Sequence, residues 1–168
     1  MIAAVTVAYA ALFIAGAVTD ILQLRIPNAI VVALVALFVF ACVMSPPKSV
    51  LWAHVAPAAV VFVLAAIPFF LDKLGGGDVK LLTAAVLWVG LPKLGFFLIS
   101  LAIYGMISIL VFAVFRQQVV GVLAWASVRI GRTIPTPVSL QTGKSIPYGV
   151  VIAAAALMVG PGLTGGVQ

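Results

Sequence analysis

The chain reads as an all-α, polytopic integral membrane protein with about six transmembrane helices. Three observations predict that class. Of its 168 residues, 65% are hydrophobic and only 7% are charged, whereas a soluble fold of this length must still present a polar exterior. Its apolar runs approach ~20 residues, the length that crosses a bilayer. The breaks between runs are short and rich in Pro, Gly and single charges. A single domain over residues 1–168 accounts for the pattern, with no internal repeat and no soluble appendage.

The runs follow in order. The first covers roughly Ile2 to Thr19; it lacks the basic n-region of a secretory signal peptide and reads as a retained span. The second, Ala29 to Met44, ends at SPPKS, and the third runs from Leu51 to Leu71. After the stretch LDKLGGGDVKLL comes a short fourth run, about Val79 to Leu91, which stops at Pro92-Lys93. The fifth spans Leu94 to Phe115; the sixth, Tyr148 to Val159, precedes a flexible tail over about 160–168. Between the last two lies VVGVLAWASVRIGR, Val119 to Arg132, too short to cross. It is either an interfacial helix on the cytoplasmic leaflet or a loop packed over helix ends.

Charge sets the orientation. Nine Lys and Arg face only Asp20, Asp72 and Asp78, for a net charge of +6. The cations are scattered singly between apolar runs, which argues against nucleic-acid binding and for topology determinants. Arg25, Lys73, Lys80, Arg116, Arg129, Arg132 and Lys144 fall on odd-numbered loops; Lys48 and Lys93 fall on even ones. Positive residues favour the cytoplasmic side, so the odd loops face the cytoplasm and both termini lie outside a prokaryotic inner membrane. Lys144, Arg129 and Arg132 suit anionic lipid. Cys42 is the only cysteine, so neither an intrachain disulfide nor a Cys-based zinc site is available.

The acids carry the chemistry. Asp20 ends the first run and Asp78 begins the fourth, both at the cytoplasmic boundary. Ionisable residues inside a span are functional candidates, and two carboxylates at one depth suggest a shared-proton dyad: one activates water while the other polarises a carbonyl. Gly75, Gly76 and Gly77 offer backbone angles closed to other residues and let another chain approach closely. Asp78 then sits at or near the N-cap of the fourth helix. The helix dipole there favours its ionised form, and Asp20 near a helix C-terminus is pushed towards protonation. The resting pair is therefore expected to keep its proton on Asp20.

The plainer reading treats the glycines and Asp78 as an ordinary helix start, with Asp20 paired to Arg25. Asp72 precedes Lys73 and reads as a solvated helix end outside the chemistry. His54 lies near the outer face, a bilayer away from both acids, and reads as a lone interfacial histidine. No metal site and no Ser-His-Asp triad follows from it.

These stretches resemble a family. GGGDVKLL is similar to the GxGD-x-K-L pattern of prepilin peptidases, with Gly75, Gly77, Asp78, Lys80 and Leu81 in the matching places. DILQLRIPN resembles the family's other acidic motif: Asp20, five intervening residues, then Ile26-Pro27-Asn28. SIPYG, with Pro147, Tyr148 and Gly149, looks like the Pro-aromatic-Gly segment that opens the last helix. The resemblance implies a GxGD-type intramembrane aspartic endopeptidase with Asp20 and Asp78 as catalytic residues. It also implies type IV prepilins or pseudopilins as substrates, cleaved after a short basic leader at the cytoplasmic face, with no cofactor.

Larger family members carry an additional N-terminal segment and N-methylate the new terminus. This chain looks like the short form associated with tight-adherence (Flp) pili or archaeal preflagellins, without the methyltransferase. Pro27 and Asn28 either punctuate the start of the second helix or touch substrate. Lys80 either snorkels to the interface or biases the dyad. The competing function is a non-catalytic transporter or assembly factor, whose glycine break lines an ion path.

Overall fold

The computed structural model describes residues 2–44, 51–131 and 147–162. Within them the chain is all-α, with six helices: α1 (Ile2–Gln23), α2 (Asn28–Met44), α3 (Trp52–Phe70), α4 (Gly76–Val89), α5 (Leu91–Ile130) and α6 (Tyr148–Val159). The SPPKS linker, Lys48, Arg132, Lys144 and residues 163–168 lie outside the described residues.

Three stretches are long and apolar enough to cross a membrane: Ala3–Gln23, Trp52–Phe70 and Leu91–Phe112. α2 is apolar but has 17 residues. α4 has 14 residues and α6 has 12, about 21 and 18 Å at 1.5 Å per residue, short of a ~30 Å hydrocarbon layer. Their position explains their length. α4 packs against α2, α3, α5 and α6, while α6 packs against α1, α4 and α5. Both are protein-facing, and their small residues allow close packing: Ala84, Ala85, Ala153, Ala155 and Ala156 are all buried.

Aromatic side chains tie this centre to the outer helices. Tyr9 of α1 lies 5.0 Å from the Trp88 ring of α4, and Phe38 of α2 lies 5.6 Å from it. Both polar tips are satisfied: Tyr9 Oη donates to the Ala156 carbonyl at 2.8 Å, and Trp88 Nε1 donates to the Leu34 carbonyl at 2.9 Å. Buried amphipathic rings require such partners.

Several boundaries differ from the sequence expectation. α1 continues to Gln23, so Asp20 lies inside its last turn. A single residue, Gly90 at φ 70°, separates α4 from α5, and Pro92 is accommodated in the first turn of α5, where a missing N–H costs nothing. The stretch up to residue 130 is neither a separate interfacial helix nor a loop. α5 runs unbroken through 40 residues, about 60 Å, twice the hydrocarbon thickness. In its last turns the Arg129 guanidinium sits 5.3 Å over the Trp125 ring.

Residues 160–162, expected to open a flexible tail, are instead held by hydrogen bonds. Gly162 N–H donates to the Trp88 carbonyl at 2.8 Å, and Lys93 Nζ reaches the Val159 and Pro161 carbonyls at 3.5 and 3.4 Å.

His54 is buried rather than interfacial, at 1% exposure. Its Nδ1 donates to the Leu87 carbonyl at 3.0 Å, and its ring faces Phe38 at 5.7 Å. A Cβ on Gly90 would stand 2.6 Å from His54 Cε1. Gly90, at φ 70° and ψ 172°, occupies a region almost closed to other residues, so Gly90→Ala is expected to destabilise the fold by about 1–3 kcal/mol from backbone strain alone, with the steric clash added. Thermal unfolding in detergent should show it, and His54→Ala in the same background should recover only the steric part.

Candidate functional site

Five helix ends meet at one end of the bundle: the C-termini of α1 and α3 and the N-termini of α2, α4 and α6. Two clefts open there, of about 470 and 610 Å³, and Asp20 and Asp78 line both. The structure thus brings together the two acids that the sequence singled out. They are close enough to feel each other's charge.

Asp20 is held by another helix. Gly149 N–H donates to its Oδ2 at 2.7 Å, and Val150 N–H donates to the same carboxylate. These are the second and third residues of α6, whose N-cap is Pro147, with no side-chain cap of its own. An N-cap side chain ordinarily accepts from the amides at these two positions. Asp20 therefore caps α6 across the bundle, and its partners are these amides rather than Arg25.

The arrangement requires glycine at 149. A Cβ there would meet Asp20 Oδ2 at 2.8 Å and Ile26 Cδ1 at 2.9 Å. Pro147 is buried, and Tyr148 borders the larger cleft.

Asp78 is the third residue of α4, with Gly75 as N-cap. Its carboxylate accepts the Gly75 N–H, the reciprocal half of a capping box. Oδ1 is different: it is the buried side-chain oxygen left without a hydrogen-bond partner among the described residues.

None of the three glycines has positive φ, so close approach rather than special backbone angles explains the run. A Cβ on Gly75 would meet Asp78 Oδ2 at 3.0 Å, on Gly76 the Phe69 ring at 3.1 Å, and on Gly77 the Ile26 Cβ at 3.1 Å. Each glycine faces a different neighbour. Ile26, buried at 8% exposure, is pressed against both Gly77 and Gly149. It locks the α1–α2 loop into the site.

That loop leaves α1 through Leu24 at φ 52°, a left-handed conformation that costs a non-glycine residue about 1–2 kcal/mol. The turn is closed by Leu24 N–H donating to the Asp20 carbonyl at 2.8 Å. Pro27 and Asn28 follow and line the smaller cleft. Lys80 lines neither cleft; its Nζ donates to Asn28 Oδ1 at 3.0 Å, joining α4 to α2.

Asp72 is exposed but borders the larger cleft, closer to the acids than the sequence reading placed it. Its φ of 54° terminates α3 in a Schellman turn, with Lys73 N–H to the Pro68 carbonyl at 2.9 Å and Asp72 N–H to Phe69 at 3.0 Å. The amides capping Asp20 and the wedge role of Ile26 were not legible as such. Their only signals were the glycine of SIPYG and the isoleucine of the IPN motif.

Backbone donors weigh against helix ends in setting where the pair keeps its proton. A charge-assisted hydrogen bond contributes about 1.5–3 kcal/mol, against ~0.3–1 kcal/mol for an ordinary helix end. Asp20 has two amide donors and Asp78 has one. Among the described residues, no group of three His, Cys, Asp or Glu converges on a metal position.

The model of the type IV leader peptidase family matches residues 7–114, more than half of the chain and inclusive of both acids. The chain belongs to the type IV leader peptidase family. No curated protein and no solved structure matches it. As a type IV leader peptidase it is a membrane-embedded hydrolase of the prepilin-processing kind. The family match ends before α6, the helix that supplies the amides on Asp20.

The wedge gives a direct test. Gly77→Ala overpacks Ile26 and is expected to cost about 1–3 kcal/mol, read as a lower unfolding midpoint. Ile26→Ala in the same background should restore part of the loss.

Proposed function

We propose that this chain is an aspartic endopeptidase that removes the leader of type IV, Flp-like prepilins at the cytoplasmic membrane face. Its catalytic pair is Asp20 and Asp78. The observation that carries the reading is their shared lining of two adjoining clefts, one carboxylate from each of two helices. A coupled pair of carboxyls in which one is ionised and the other protonated can activate water and polarise the scissile carbonyl together.

The rest of the site fits that work. A peptide crossing the dyad has room on both sides, and Asp72 adds negative charge at the rim of one cleft, where a basic leader is attracted. All six helices cross the membrane in this reading, with α4 and α6 shielded from lipid by the other four. The single domain covers the chain. The site end faces the cytoplasm, where most of the cations lie, and both termini lie outside. Anionic lipid is the partner proposed for cations at that face.

Co-expression of the chain with an Flp-type prepilin, followed by gel-shift of the processed pilin, checks the assignment. Asp20→Ala and Asp78→Ala should each abolish processing, and Asp72→Ala should retain it. Normal processing by both dyad variants would remove the enzymatic reading. Methylation of the new N-terminus, read by mass spectrometry, is expected to be absent.

A further inference from the structure

The two acids of the pair do not have equivalent surroundings, and the difference comes from α6. Asp20 accepts amide protons from Gly149 and Val150, at the positive end of a helix dipole. These donors are fixed backbone groups and favour a carboxylate over a carboxylic acid. Among the described residues Asp78 has only the Gly75 amide, and its Oδ1 is buried with no donor. A buried, ionised oxygen with no donor is the costlier state; a protonated oxygen there has a hydrogen to give.

We infer that the N-terminus of α6 sets the roles of the pair: the Gly149 and Val150 amides hold Asp20 as the ionised carboxylate that activates water, and Asp78 carries the shared proton on Oδ1 and donates it to the scissile carbonyl oxygen. The inference rests on the peptidase reading above. Gly149 and Val150 are positioning residues, since they act through Asp20.

The step balances. Asp20 takes one proton from water as the water oxygen bonds to the carbonyl carbon, and Asp78 gives its proton to the carbonyl oxygen, leaving a gem-diol. On collapse, Asp20 passes its proton to the leaving nitrogen as the C–N bond breaks. Asp78 takes a proton back from one hydroxyl as the new C=O forms. Asp20 ends ionised and Asp78 protonated, as both began.

The other charged or titratable groups around Asp20 are Asp78 from α4, Arg25 from the α1–α2 loop, Asp72 and Lys73 from the α3–α4 turn, and Tyr148 from α6. Arg25 and Lys73 favour an ionised Asp20; Asp72 opposes it from an exposed position, where solvent screens it.

The composition makes the test clean, because the chain has three aspartates and no glutamate. Full-length protein in lipid nanodiscs, labelled on the aspartate side-chain carboxyl carbon, is titrated by infrared spectroscopy in an Asp72→Asn background. The protonated-carboxyl band at neutral pH should vanish in Asp78→Asn and persist in Asp20→Asn. A band that persists in Asp78→Asn places the proton on Asp20 and overturns the inference, and that variant alone decides it if Asp20→Asn does not fold.

Gly149→Ala removes the close seat of the carboxylate and should lower kcat on the order of 10²-fold with little change in KM. Loss of donors makes Asp20 bind its proton more tightly, so the acid limb of the kcat/KM profile should move to higher pH. An unmoved limb with reduced activity would make Gly149 merely structural and overturn its positioning role. Cleavage in the same preparations reads the peptidase assignment separately: wild-type rates in both Asp→Asn variants would sink that assignment and the roles with it, wherever the infrared band places the proton.

Discussion

The carboxylate of Asp20 bound to the first amides of α6 is the interaction on which the site end of this bundle depends. α6 begins at a proline and has no side-chain cap of its own, so its exposed amides need an acceptor from elsewhere. α1 supplies one from within its last turn. The same contact draws α6 so close that only glycine fits at 149, and Ile26 fills the space beside it. One carboxylate thus terminates a helix, sets a backbone approach and orients the α1–α2 loop.

The glycine run completes the arrangement on the opposite side. Gly75 brings its backbone up to the Asp78 carboxylate, Gly76 to Phe69, and Gly77 to the other face of Ile26. Ile26 is therefore gripped between α4, which carries Asp78, and α6, whose amides hold Asp20, so the site is registered through a residue that has no chemistry of its own. Asp78 stays next to Asp20 because that grip holds the first turn of α4 in place. The cost of burying the Asp20 carboxylate in so apolar a chain is offset by the backbone amides that bond to it.

Much of this was legible in the sequence, and the omissions have physical causes. Hydropathy located all six helices because apolar runs and their breaks are composition signals. It does not tell α4 and α6 from lipid-facing helices, because a helix shielded by protein is as apolar as one that faces lipid. It split α5, because a polar patch around Arg116 looks like a boundary although nothing there breaks a helix. The scarcity of acids pointed to Asp20 and Asp78, since a carboxylate in so apolar a chain requires a reason. The partner of Asp20 was invisible because a backbone amide leaves no mark in the residue types beyond the glycine that lets it approach. His54 looked interfacial because one imidazole near a helix start cannot reveal a carbonyl thirty-three residues away.

The end of the bundle remote from the acids is fastened differently. There Gly162 bonds to Trp88, Lys93 covers the last carbonyls of α6, His54 bonds to Leu87, and one glycine links α4 to α5. These bonds join α3, α4, α5 and α6 into a hub. The ends carrying the carboxylates surround two clefts and are joined through Ile26 and the amides on Asp20. The molecule is thus tied at both ends by different means, a polar hub at one and a wedge with a carboxylate at the other. A polypeptide reaching the acids would enter through the clefts that already stand open beside them and leave the hub untouched.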